Sequence, residues 1–236
     1  MINKAQLLEI IERYHLNGIV ETVKWNIKNK NLNIRFMVPN QDAIGELNFP
    51  INLPDCELGI YNTSRLLKLI SILDKEILLS IENETNPKLK LEDSLYTLFY
   101  SLADTDIIPD IPEVNTPSFG ISFKLTAETA KLFDKAKSAL GSDVKEVFQI
   151  QTFYKESVPH VKIILGEPNS HSNKIEFFIE AIFEGVPSDI LMFSSLYFDE
   201  ILTANKDKEG ECFLSEEGLM YIKYDDVYYY LTKLEN

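Results

Sequence analysis

Apolar positions along this chain switch between two spacings, and the switches repeat. Residues 3–15 place Leu7, Leu8, Ile11 and Tyr14 at helical intervals behind Asn3, a capping residue, and Asn17-Gly18 closes the segment. The spacing then falls to two. Val23, Trp25 and Ile27 alternate with polar neighbours, as do Leu32, Ile34 and Phe36, so strands are predicted over Ile19–Ile27, Leu32–Val38 and Ile44–Leu47. Helical spacing returns at 63–74, capped by Thr63 or Ser64, with Leu66, Leu67, Leu69, Ile70 and Leu73 on one side. Strands are predicted again over Glu76–Ile81, Lys88–Leu91 and Leu95–Leu102, with Asn83–Pro87 and Glu92-Asp93 as turns.

The second half repeats this order. Phe119–Leu125 reads as a strand, and Thr126 caps a helix that runs to Leu140 and stops at Gly141. Val144–Tyr154, Val161–Leu165 and Lys174–Phe183 follow as strands, with turns at Lys155–Ser157 and Pro168–Asn173. Ser194 or Ser195 opens a fourth helix to about Asn205, and Cys212–Leu214, Leu219–Tyr224 and Val227–Lys233 close the chain as strands. Two copies of helix, strands, helix, strands predict an α+β fold with a pseudo-repeat, each half packing two helices on antiparallel sheets. Between the halves lies a segment with Pro109, Pro112 and Pro117 and no glycine. Proline fixes φ and extends its predecessor, so this is a semi-rigid strap and not a helix or central strand. Its Ile107, Ile108, Ile111 and Val114 are unusually apolar for a linker. The expected division is 1–104, a connector at 105–118, and 119–236.

Composition narrows the chemistry. The 236 residues are 45% hydrophobic and contain no apolar run of membrane-spanning length, and the N-terminal residues do not form a signal peptide. Cys56 and Cys212 lie far apart, which reads as two plain thiols in a reducing, cytoplasmic setting. Net charge is −14, divided as −3 over residues 1–104 and −11 over 105–236. Bulk electrostatics therefore repel nucleic acid, and any DNA contact needs a local basic surface. No phosphate loop, dinucleotide fingerprint, nucleophile elbow or zinc-protease motif occurs. His15, His160 and His171 lack second ligands at metal spacing and read as surface histidines. The expectation is a protein without catalytic chemistry, cofactor or metal.

Three segments carry a resemblance. Glu57–Asp74, leading into the second helix, is similar to the corresponding stretch of the tailed-phage DNA sliding clamps. Leu95–Pro109 resembles that family's last first-domain strand running into its connector. Val227-Tyr-Tyr-Tyr-Leu-Thr-Lys-Leu234 is similar to the C-terminal strand of proliferating cell nuclear antigen. The layout resembles the clamps along the whole chain, although no single motif is diagnostic.

The resemblance implies two DNA-clamp domains per chain and a ring of six, hence a homotrimer closed head to tail. It implies a DNA polymerase processivity factor that encircles duplex DNA without reading sequence and tethers a replicative polymerase. An ATP-dependent clamp loader would place it there, in the host cytoplasm if the protein is viral. The alternative is an open monomeric or dimeric subunit of the same fold, binding DNA on one basic face. The implied DNA-facing residues are Lys4, Arg13, Arg65, Lys68, Lys131, Lys135, Lys206 and Lys208. The implied partner-peptide pocket is Met37, Val38, Ile44, Ile107, Ile108, Ile111, Tyr230 and Leu231. The implied subunit interface pairs Tyr96, Leu98 and Tyr100 with Ile175, Phe177 and Ile179 of a neighbour. The chain departs from the nuclear clamp after Leu231, where Thr232-Lys233 and almost no tail follow.

Overall fold

A computed structural model describes residues 1–82, 86–141, 146–166, 173–184 and 190–234. The expected turns at Asn83–Pro87 and Pro168–Asn173, the start of the strand expected from Val144, and His171 fall wholly or partly outside these residues. The chain divides into two compact units, Met1–Pro39 with Ile44–Pro112, and Asn40–Ala43 with Glu113–Asn236.

In the first unit, strand β1 (Ile2–Asn3) leads into helix α1 (Lys4–His15). The Asn3 side chain accepts from the Ala5 amide, as its residue type predicted. The buried stripe is Leu7, Ile10, Ile11 and Tyr14. Leu8 is only half-buried, because a stripe at i, i+3, i+4, i+7 includes position 10 and passes over 8. Strands β2 (Val23–Lys28), β3 (Asn31–Met37), β4 (Ala43–Pro50) and β5 (Cys56–Ile60) form an antiparallel sheet in the order β4-β3-β2-β5. Asn29 and Lys30, both at positive φ, make the two-residue turn between β2 and β3. One sheet face is core, with Trp25, Leu32, Ile34 and Leu47 buried. On that face Phe36 lies opposite Gly45, and a Cβ at Gly45 would stand 2.0 Å from the Phe36 ring. The ring occupies the space that a side chain would need.

Helix α2 (Thr63–Ser71) follows, capped by Asn62 through the Arg65 amide and not by Thr63 or Ser64. Strands β6 (Glu76–Glu82), β7 (Lys88–Glu92) and β8 (Thr97–Ser101) complete a second sheet in the order β1-β6-β7-β8. The strap begins beyond it with a single 3-10 turn at Thr105–Ile107, and continues without regular structure to the next strand.

The second unit repeats the order of the first: strand, helix, four strands, helix, three strands. Strand β9 (Ile121–Leu125) is followed by helix α3 (Ala127–Leu140), capped by Thr126 and ended at Gly141 as predicted. Strands β10 (Val147–Lys155), β11 (Val158–Leu165), β12 (Ile175–Phe183) and β13 (Leu191–Ser194) precede helix α4 (Ser195–Ala204), which Ser194 caps. Strands β14 (Gly210–Leu214), β15 (Leu219–Tyr224) and β16 (Val227–Thr232) end the chain. Within this unit the order is β13-β10-β11-β12-β9-β14-β15-β16. The stretches of β5 and β13 read in sequence only as lead-ins to helices, because their buried residues are consecutive (58–60 and 193–194) and show no alternation.

Its core is aromatic. Phe133 of α3, Phe148 of β10 and Phe198 of α4 meet with ring centroids 4.7–5.2 Å apart, and all three are fully buried. The glycine-aromatic device recurs, since a Cβ at Gly210 would lie 2.4 Å from the Tyr224 ring. On the opposite face, Tyr221 stacks with Phe119, Phe213, Tyr228 and Tyr230 at 5.0–5.9 Å. There burial, with the neighbouring Tyr230 and Tyr228 hydroxyls, pushes the Tyr221 hydroxyl up to about 12.

Candidate DNA-facing, partner and subunit surfaces

The eight cations expected to face DNA divide into three groups. Arg65 and Lys68 on α2, Lys131 and Lys135 on α3, and Lys206 after α4 are exposed. On α3, residues 131 and 135 stand one turn apart on one face. Lys208 is half-buried, with its ammonium 3.5 Å from the Asp225 carboxylate. Two residues of α1 correct the expectation. Arg13 is buried, and its guanidinium donates to Glu9 one turn earlier at 2.7 Å. Lys4 is half-buried, and its ammonium donates to the Ser71 and Leu73 carbonyls, both at 2.6 Å. It completes the C-terminal end of α2, where unpaired carbonyls attract a cation.

The N-terminal end of α2 is built around Glu21. Its carboxylate accepts from the Ser64 amide at 2.9 Å, from the Ser64 hydroxyl, and shares His15 Nε2 at 3.3 Å. His15 is therefore a buried junction residue and not a surface histidine. Burial works to raise the Glu21 carboxyl, but the Ser64 and His15 hydrogen bonds outweigh it and hold the group below its ordinary value. Ser64 and Glu21 both meet the same ring nitrogen, so this is a helix-capping cluster and not a relay that activates a hydroxyl.

The expected peptide pocket is seen in part. Within the first unit a cavity of about 540 Å³ lies between the outer face of β2–β3 and the strap. Met37, Val38, Ile108 and Ile111 line it, joined by Lys24, Asn26, Asn33 and Arg35. The floor is thus more polar than the apolar residues alone implied. Ile108 is buried against Gly59. Ile107 is 73% exposed and does not line the cavity, because the 3-10 turn points it outward. Ile44 is half-buried on the outer face of β4, opposite Met37, and also lies outside the cavity lining. In the second unit Tyr230 is half-buried in the tyrosine stack, whereas Leu231 is fully buried in the core. Leu231 is thus a packing residue, since alternation along β16 turns 227, 229 and 231 inward.

The strands expected to join subunits have open edges. β8 is the last strand of its sheet. β12 pairs with β11 along 175–180 but with β9 only at 181–183. Among the described residues, 175–180 therefore has one side without a ladder. The side chains need correction. Tyr100 is buried, and its hydroxyl bonds the amide and carbonyl of Asn62 at 3.0 and 3.1 Å. Leu98 shares its face and is half-buried. Thr97, Phe99 and Ser101 turn outward on β8, and Phe99, 49% exposed, is the aromatic among them. On β12, Ile175, Phe177 and Ile179 are half-buried and Phe178 faces outward, its ring 5.3 Å from Phe153. Tyr96 lies outside the strand, in the turn before β8, and is exposed.

Among the described residues no helix is long and apolar enough to cross a membrane. No protein-family model and no curated protein sequence matches the chain. Solved structures do match. Proliferating cell nuclear antigen (PCNA) from Thermococcus kodakaraensis superimposes with a TM-score of 0.75 at 12% identity, covering 99% of this chain and 98% of that one. PCNA from Entamoeba histolytica gives 0.75 at 13% identity, covering 99% and 96%. A. fulgidus PCNA, solved with the C-terminal region of FEN-1 bound, gives 0.75 at 14% identity, covering 100% and 97%. From end to end, then, this chain has the fold of PCNA, the sliding-clamp fold that the resemblance implied.

Proposed function

We propose that this protein is a DNA polymerase processivity factor, a sliding clamp that closes as a homotrimer around duplex DNA. The observation that carries this reading is the likeness in fold to PCNA over nearly the whole of both chains. Two further features support it. The open edges of β8 and of 175–180 in β12 suit head-to-tail pairing between copies, which closes a ring. The exposed Arg65, Lys68, Lys131, Lys135 and Lys206 give a sparse cationic set, suited to phosphate contact without base readout. A net charge of −14 discourages DNA from binding elsewhere on the molecule.

The protein would act by topology and not by chemistry. A loader opens the ring on DNA, and the ring then tethers the replicative polymerase, in the host cytoplasm if the protein is viral. A. fulgidus PCNA was solved with a FEN-1 segment bound. By analogy, the cavity under the strap here receives a short peptide from a partner. The test is loader-dependent stimulation of polymerase on primed circular DNA. The variant Lys131→Glu with Lys135→Glu should lose most of that stimulation while keeping its fold and mass. Undiminished stimulation would remove α3 from the DNA-facing surface. Salt-sensitive DNA binding by a stable monomer, with no loader present, would favour the open subunit instead.

A further inference from the structure

We propose that the Lys24–Asp110 ion pair is a salt-sensitive latch that keeps the strap closed over the cavity of the first unit and so regulates access to it. The inference rests on the reading of that cavity as the partner-docking site.

Two anchors hold this part of the strap. The first is apolar and deep. The Ala103 amide donates to the Gly59 carbonyl at 2.8 Å, and Ile108 is buried over Gly59, where a Cβ would stand 2.5 Å from the Ala103 oxygen and 3.1 Å from Ile108 Cδ1. The second anchor is ionic and shallow. Lys24 Nζ of β2 lies 2.6 Å from Asp110 Oδ1. The Lys24 side chain is 19% exposed, but that of Asp110 is 92% exposed. Among the described residues, no backbone hydrogen bond ties 109–112 to the strands beneath. Pro109 and Pro112 stiffen the segment, so it moves as a piece.

An ion pair with one partner in water contributes little and is screened by salt. That suits a catch that must release better than a brace that must hold. Glu57 and Asp106 also act on Lys24, so removing the Asp110 charge leaves the ammonium compensated. With the latch shut, Ile108, Ile111 and Asp110 stand at the cavity wall. A peptide then binds only the fraction of molecules in which the strap has lifted, and its apparent affinity is reduced by that fraction.

The experiment is amide hydrogen exchange on the full-length protein, read at Ile108, with Asp110→Asn as the variant. Because Asp110 is on the surface, the substitution leaves folding intact. Exchange at Ile108 should speed by up to about five-fold at low salt in D110N. In 1 M salt the wild type should approach the D110N rate, while D110N, which keeps only the weaker Asp106 attraction in the strap, changes less. Lys24→Gln should accelerate exchange less in D110N than in the wild type, because only the weaker Asp106 attraction to Lys24 is then left in the strap. Equal exchange in wild type and D110N, or equal acceleration of both by salt, overturns the latch. A second arm measures binding of the FEN-1 C-terminal peptide. Tighter binding to D110N by the same factor supports gating, and equal binding to both proteins overturns it. If the peptide binds neither protein, the partner-site reading loses its support, and the exchange result alone decides the latch.

Discussion

Arg13 shows what residue type alone leaves unsaid. A helix cation is usually exposed, yet this one is buried with its guanidinium on Glu9. The buried stripe runs through Ile10, one turn before Arg13, and this puts that side of α1 inward. Glu21 was equally silent in sequence, because its partners His15 and Ser64 come from two different helices. Its carboxyl is held below the ordinary value, so the stability it contributes is present above the unfolded pKa, near 4.5, and is lost as pH falls through the lower folded value. Glu21→Gln should therefore lower the urea midpoint of the first unit at pH 7, and the gap from wild type should narrow below about pH 4. A gap that does not change with pH would assign the loss to packing instead. Gly59→Ala should destabilise by about 1–3 kcal/mol, because its Cβ meets backbone oxygen and a buried isoleucine.

At the scale of elements, periodicity gave the helices and most strands, and caps at Asn3, Thr126 and Ser194 are where residue type put them. What it missed was parity. In β8 the aromatic and aliphatic residues occupy both faces, so alternation did not say which of Tyr100 and Phe99 turns inward. The core decides, since the Tyr100 hydroxyl finds the Asn62 backbone at the start of α2. The residue to alter at the proposed subunit edge is thus Phe99. Phe99→Glu should abolish assembly while the separated chain keeps its secondary structure, because the side chain is exposed on the single chain. Unchanged mass would place the interface elsewhere. Within α3, Phe133→Ala should cost about 3–5 kcal/mol, since two aromatic neighbours at 4.9 and 5.2 Å lose their contact, and calorimetry would read it.

At the scale of the molecule, the repeat was the most legible feature, because two passes through the same order of periods do not depend on any one residue. The strap was legible as non-helical from its prolines, but which isoleucine turns inward was not, as the 3-10 turn sends Ile107 out and Ile108 in. Assembly lies outside the reach of one chain's periodicity, as it depends on edges that only the fold exposes. Sedimentation equilibrium should find a species of about three times the 27.1 kDa chain. A monomer at every concentration would remove the closed ring.

The aromatic residues also divide the chain by colour. Its one tryptophan, Trp25, is fully buried in the first unit. The second unit has none, but it holds the tyrosine stack centred on Tyr221. Indole emission therefore reports on the first unit alone, whereas near-ultraviolet dichroism adds seven tyrosines of the second unit to four of the first. With no label attached, a single denaturation series follows both halves of the repeat at once. Midpoints that coincide make the chain one cooperative folding unit, and midpoints that separate rank the two copies by stability.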